Sequence, residues 1–470
     1  MQCIRAYARD ESTLSAAISR LEELVEIPSV SSEAEGPLPF GKENAKVLNK
    51  ALAIGKQLGF ETENHDYYCG SIILGGEGEE EVGIICHLDV VPAGSGWIFP
   101  PFELTEKDGL LIGRGTDDNK GPAIAALAAM EYFAKQGKKL PFSVRLILGC
   151  NEESGMEDLP YFLKVRKAPF FSFTPDSVYP VCNGEKGIAE MELALGPAGD
   201  EILDISGGTA SNAVADKAEI LLVESCAKRL PDTLPEGITV EQTKAGVFVR
   251  AVGKAAHAAM PEGSQNAIGM LAAFLTDAKI LDSNSPQAKA FAFLKRALGD
   301  YYGEGLDIEA SDEQSGRLTC IGGIIRLQNG VIMQNFNVRY PVTANMEKLF
   351  ENAKKLAEQE GLTLTLPRDS KGYYFSPDRP EIAALIKACE DALGKKTEPY
   401  VMGGGTYARV FPNTVAFGIG TGEEPTALGP GRGGAHQRDE YIKVDTLALG
   451  IEVITRAILE LAALKNKEER

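Results

Sequence analysis

The residues best suited to chemistry lie in short polar clusters that close apolar runs. His87 and Asp89 stand two positions apart at the end of EVGIICHLD. In an extended segment residues i and i+2 share a face, so Asp89 can reach the imidazole and orient it. Three acidic clusters follow: GRGTDDNKG at 113–121, with Asp117 and Asp118; NEESG at 151–155, with Glu152 and Glu153; and TPD at 174–176, with Asp176. A further cluster, GGAHQ at 433–437, supplies His436. Imidazoles and carboxylates without thiolates suit a hard or borderline divalent ion such as Zn²⁺, Mn²⁺ or Co²⁺. Taken singly, each cluster has a structural explanation, since an aspartate after a strand can cap a loop and a Glu-Glu pair can be a solvated face. Their recurrence at strand ends, where open α/β sheets build their sites, favours one shared site.

The elements that must position these groups alternate along the chain. Apolar residues at helical spacing predict a helix over 13–28, with Thr13 able to cap it, and another over 41–59. The short runs SIILGG, EVGIICHLD, FSVRLILGCNEE and FFSFTPD read as strands, and PAIAALAAMEYFAKQG as a helix between them. This pattern implies an α/β domain with a mixed central sheet flanked by helices. After about residue 187 the character becomes β-rich, and the Gln-Asn-Gly sequence at 328–330 marks a hairpin. From Pro380 the α/β pattern resumes. The expected organisation is a discontinuous catalytic domain, 1–186 and 380–470, interrupted by an α+β insert at 187–379.

Composition narrows the partners. A formal charge of −19 repels phosphate backbones and anionic lipid, so nucleic acid and membrane are not expected partners. No stretch reads as a signal peptide or membrane span, which makes the cytoplasm the expected location. The eight cysteines show no CxxC spacing and read as reduced thiols. His65, within the polar stretch ETENHDYY, reads as a surface residue.

HLDVVPAG, GRGTDDNKGP, NEESG and GKAAHAAMPEG occur in this order, between an ELVEIPSVS opening and the C-terminal His436. Together they resemble the dinuclear metallopeptidases that include aminoacylase, glutamate-releasing carboxypeptidase, succinyl-diaminopimelate desuccinylase and, above all, the bacterial dipeptidase V type. The resemblance covers nearly the whole chain. It implies a catalytic domain carrying an inserted two-lobed α+β lid, with two divalent ions as cofactor, Zn²⁺ first and Mn²⁺ or Co²⁺ as alternatives.

Residue by residue, the resemblance makes His87 and Asp176 ligands of one ion, Glu153 and His436 ligands of the other, and Asp118 the bridge. The peptide bond after that bridging residue is cis in relatives. Glu152 matches a general base, and Asp89 the partner of the His87 imidazole. His257 in the insert matches an oxyanion-stabilising residue, and Arg339 a clamp for a substrate carboxylate, to which a guanidinium is well suited. Asn212, and Gly404, Gly405 and Thr406 of a glycine-rich loop, match further substrate contacts. The implied reaction is hydrolysis of dipeptides with a free N-terminus by a metal-bound hydroxide, in a monomer whose lid mimics a dimer partner. An N-acyl amino-acid deacylase or desuccinylase would share every ligand, and a non-catalytic metal- or peptide-binding homologue is the alternative of another class. Asn119, where relatives often carry an acid, and HQRDE after His436 depart from the pattern without removing a ligand.

Overall fold

Three runs rich in β-branched and other apolar residues, Glu81–His87, Ser143–Gly149 and Phe171–Thr174, form the parallel centre of a mixed sheet. The computed structural model describes residues 2–137 and 139–468. They divide into two units: Met1–Asn183 with Phe375–Tyr400 and Thr406–Arg470, and the inserted Gly184–Tyr374 with Val401–Gly405.

In the first unit the strands run in the order Glu61–His65, Cys69–Leu74, Ser143–Gly149, Glu81–His87, Phe171–Thr174, Thr414–Ala416. The first two pairings are antiparallel and the remaining three parallel. The helices Glu11–Val25, Lys42–Gln57, Lys120–Gln136, Pro380–Leu393 and Val444–Glu468 share one apolar core with the sheet. Helix Lys120–Gln136 is buried from Lys120 through Met130, which explains its nearly unbroken apolar sequence. A small separate sheet pairs Leu110–Ile112 with both Thr105–Lys107 and Tyr441–Lys443. It joins two segments remote in the chain, the one leading into 113–118 and the one that follows 436–440.

Two local readings need correction. The first predicted helix starts earlier, at Glu11, and its cap is Asp10, whose carboxylate accepts the N–H groups of Ser12 and Thr13; Thr13 is buried in the first turn. His65 is not a surface residue. It ends a strand whose alternation turns it inward, where its Nε2 lies 2.9 Å from Ser71 Oγ and its ring meets Phe162 edge-on. The polar neighbours hid this, because only every second residue of an edge strand need face the core.

The inserted unit is built on one antiparallel sheet of eight strands, in the order Ile238–Thr243, Gly246–Val252, Lys217–Leu222, Ile202–Gly207, Thr319–Gln328, Val331–Tyr340, Gly187–Pro197, Thr363–Ser370. Helices Ala267–Asp277, Pro286–Ala297 and Met346–Gln359 join its apolar core. The hairpin at 328–331 turns on Asn329 and Gly330, both with positive φ (51° and 78°), as a two-residue Asn-Gly turn requires.

Helix Glu11–Val25 ends against a buried lysine. Lys120 Nζ donates to the carbonyls of Leu24 and Ile27, each at 2.9 Å. Lys120→Ala should strand both acceptors and lower the unfolding free energy in denaturant titration by about 2–4 kcal/mol; a loss under about 0.5 kcal/mol would contradict this account.

Candidate metal centre and active site

The parallel register places His87 opposite Gly149, so the imidazole and the NEESG loop leave the sheet side by side. On the other side of Glu81–His87, strand Phe171–Thr174 leads into Pro175 and Asp176. These are the carboxyl ends of the parallel strands, where open α/β sheets place ligands.

Asp118 stands between two histidines, its Oδ1 2.9 Å from His87 Nε2 and its Oδ2 3.1 Å from His436 Nε2. Glu153 Oε2 lies 3.0 Å from His436 Nε2, and Asp176 Oδ1 lies 3.9 Å from His87 Nε2. Donor atoms of His87, Asp118 and Glu153 fall within 4.8 Å of one another, as do those of His87, Glu152 and Asp176. All six side chains therefore meet in one cluster. A cavity of about 260 Å³ beside it is lined by Asp117, Asp118, Pro175, Asp176 and Ile419 among others.

Each of these groups is held from behind. His87 Nδ1 is 2.9 Å from the backbone carbonyl of Asp89 and 3.6 Å from that residue's carboxylate. The Asp89 carboxylate makes its closer contacts with the next strand end, accepting the N–H groups of Glu152 and Glu153 at 3.1 Å each. Asp89 thus ties the histidine to the loop carrying the two glutamates. Asn119 is fully buried and donates to Pro175 O (2.9 Å) and Asp176 Oδ1 (3.2 Å). This amide supports Asp176. The Asp118–Asn119 peptide is cis.

Sequence reasoning missed Glu440. This fully buried carboxylate accepts the N–H groups of Gly115, Asp117 and Asp118 at 3.0, 3.0 and 3.1 Å, and Arg114 Nη1 at 2.5 Å. It fixes the turn that presents Asp118. His436 lies in the connection just before it, with φ of 63°. That connection is closed by the Gly433 N–H to Arg438 O (3.1 Å) and Tyr441 N–H to Gly433 O (2.9 Å) bonds, and by Asp439, which accepts from Arg432 and from the backbone of Ile98 and Phe99. The available signal was an acid four residues after a candidate ligand and an arginine four before another.

The electrostatics fit a bound cation. Burial, with Asp176 second, pushes the Glu152 carboxyl well up, and burial also raises Glu153. Burial, Glu440 and Asp118 lift Asp117 to about 8. Burial alone would raise Asp118 too, but the two imidazoles beside it outweigh that and hold it well below the usual carboxylate range. Asp118 and Glu153 in turn lift His436 to about 11. Glu153 Oε1 is buried with no hydrogen-bond partner. Crowded carboxylates whose charge is met by protonated imidazoles form a donor set that a divalent ion would satisfy better.

The remaining expected residues lie in or next to the insert. Asn212 and His257 are brought together: Asn212 O accepts the Ala258 N–H at 2.9 Å, and Ala213 bridges to His257. His257 is exposed, and its Nδ1 accepts the Ala259 N–H at 3.2 Å. Arg339 is buried on a central strand, with Nε 2.8 Å from Asn337 Oδ1 and Nη1 2.8 Å from Gly403 O. Gly404 and Gly405 continue that backbone. Thr406 is buried, and its hydroxyl accepts the Ala408 N–H at 3.1 Å, capping a short 3₁₀ turn.

An α/β sheet that gathers imidazoles and carboxylates at the carboxyl ends of its parallel strands is the framework of a metal-dependent hydrolase. The chain belongs to peptidase family M20/M25/M40, whose model matches residues 83–460. YtjP of Bacillus subtilis is 33% identical over 458 residues, spanning 94% of this chain and 96% of that one. The Beta-Ala-Xaa dipeptidase of Lactobacillus delbrueckii subsp. lactis is 31% identical over 469 residues, spanning 96% and 97%. The fold is shared with human carnosine dipeptidase 1, at a TM-score of 0.58 and 16% identity over 98% of this chain and 99% of that one.

If Glu440 sets the turn before Asp118, Glu440→Ala should weaken divalent-ion binding about 10–100-fold. Competition against a metal-sensitive dye would measure this, and parental affinity would refute it.

Proposed function

We propose that this chain is a metal-dependent dipeptidase that holds two divalent ions, one by His87 and Asp176 and one by Glu153 and His436, with Asp118 shared between them. The observation that carries this reading is the Asp118 carboxylate, which offers one oxygen to each of two histidines. Zn²⁺ is the proposed ion, with Mn²⁺ or Co²⁺ able to replace it, because every donor is an imidazole or a carboxylate. Such ions supply a polarised scissile carbonyl and a water of lowered pKa.

Glu152 is the proposed general base. It sits in the same cluster without being one of the five ligands of this assignment, and burial raises its affinity for a proton. It takes a proton from the attacking water and delivers it to the departing amine. The likeness to a Beta-Ala-Xaa dipeptidase favours a dipeptide over an N-acylated amino acid. Arg339, its guanidinium fixed at Nε and Nη1, is the proposed clamp for the C-terminal carboxylate. His257 is the proposed oxyanion donor, with Asn212, Gly404, Gly405 and Thr406 as further contacts.

We place the enzyme in the cytoplasm, acting as a monomer on small peptides. All eight cysteines are free, and no helix among the described residues is long and apolar enough to cross a membrane. Burial pushes the thiols of Cys86 and Cys150 up, which makes them inert.

Glu152→Ala should retain the parental metal content while losing turnover by about 10²–10⁴-fold, measured by elemental analysis beside dipeptide hydrolysis; unchanged turnover would remove Glu152 from the mechanism. In a panel of dipeptides and N-acetyl and N-succinyl amino acids, only dipeptides should be cleaved, and chelation should abolish cleavage until a single divalent metal is restored. Exclusive turnover of the acylated compounds would instead establish a deacylase.

A further inference from the structure

Four consecutive backbone N–H groups at the end of strand Ser143–Gly149 are held by two buried carboxylates. Asp89 takes those of Glu152 and Glu153. Asp158 takes the two before them, with its Oδ2 2.7 Å from Cys150 N and 2.9 Å from Asn151 N. Asp158 is wholly buried at the start of helix Asp158–Val165, and its Oδ1 accepts the Leu159 N–H at 2.9 Å. The Tyr407 hydroxyl donates to the same Oδ2.

Tyr407 also touches the site from another side. Its ring is fully buried and meets the His87 imidazole edge-on, with centroids 6.3 Å apart. The hydroxyl fits only because residue 149 is glycine, since a Cβ there would overlap both the hydroxyl and the Asp158 carboxylate. Burial pushes the Asp158 carboxyl up to about 6, with the Tyr407 hydroxyl and the backbone N–H groups pulling against it. Its two oxygens accept all four of these bonds.

We propose that Asp158 and Tyr407 form a positioning pair that fixes the Cys150–Glu153 backbone beside His87, and through it sets where the Glu152 carboxylate stands. The inference rests on Glu152 being the base. A base works only within hydrogen-bond reach of the proton it moves, and displacement by about 1 Å can cost 10²-fold in rate. Glu152 lies on a loop, so its precision has to come from bonds made to that loop's backbone. Asp89 supplies two of them, and the pair supplies the next two.

The test uses the metal-loaded full chain and the dipeptide that the parent cleaves fastest. Tyr407→Phe removes one hydroxyl and keeps the ring. It should lower kcat about 10–100-fold with KM and metal content near parental. Amide hydrogen exchange at Cys150 and Asn151 should quicken in the same variant. Gly149→Ala, which displaces the same hydroxyl from the opposite side, should reproduce the kcat loss. A lowered thermal midpoint with parental kcat and parental exchange in Tyr407→Phe would make the pair purely structural and overturn the proposal. Glu152→Gln in the same assay separates the two claims. If it is inactive while Tyr407→Phe turns over normally, the positioning role alone fails; if it stays active, the base assignment fails and the proposal with it.

Discussion

Like charges buried a few ångströms apart are the constraint on which this structure turns. Asp118, Glu152, Glu153 and Asp176, each partly buried, converge on the buried His87 and the exposed His436, and partly desolvated carboxylates repel one another unless donors or cations compensate. Fixed backbone donors do part of this at one remove. Glu440 collects three N–H groups and a guanidinium behind Asp118, and Asp89 collects two more behind the glutamates. Each outer carboxylate accepts from the backbone of a turn that presents one or more of the clustered side chains. The rest of the charge calls for a divalent cation, which the N/O donor set suits.

Secondary structure serves this arrangement directly. The parallel register sets His87 level with Gly149, so the segments carrying His87 and the Glu152–Glu153 pair leave the sheet at the same height. The small three-stranded sheet does the equivalent for distant segments: pairing Tyr441 with Ile112 brings Glu440 to Arg114, 326 residues away in the chain. In the inserted unit, the Arg339 guanidinium is secured by Asn337, two residues back on its own strand, and by the carbonyl of Gly403.

What the sequence revealed follows from how local the cause is. An apolar run that ends in His-x-Asp announces both a buried strand and its polar end, so the place of His87 at a strand terminus was legible from that run alone. Asn329-Gly330 announced its hairpin because only residues tolerant of positive φ make that turn. Membership of the M20/M25/M40 family was legible from four ordered motifs. Glu440 and Asp158 were not legible as supports, because an acid that accepts backbone N–H groups looks like any other acid until the partner segment is folded against it. Tyr407 was hidden for the same reason, its hydroxyl finding Asp158 249 residues away. His65 was misread because polar neighbours masked a period-two strand, and Asp10 was overlooked as a cap because it lies outside the apolar pattern.

The central claim is that two divalent ions share the Asp118 carboxylate, and crystals grown with Mn²⁺ or Zn²⁺ test it most directly. Anomalous diffraction should show two peaks flanking that carboxylate, one beside His87 and Asp176 and one beside Glu153 and His436. A single peak, or ions bound away from Asp118, would contradict the account.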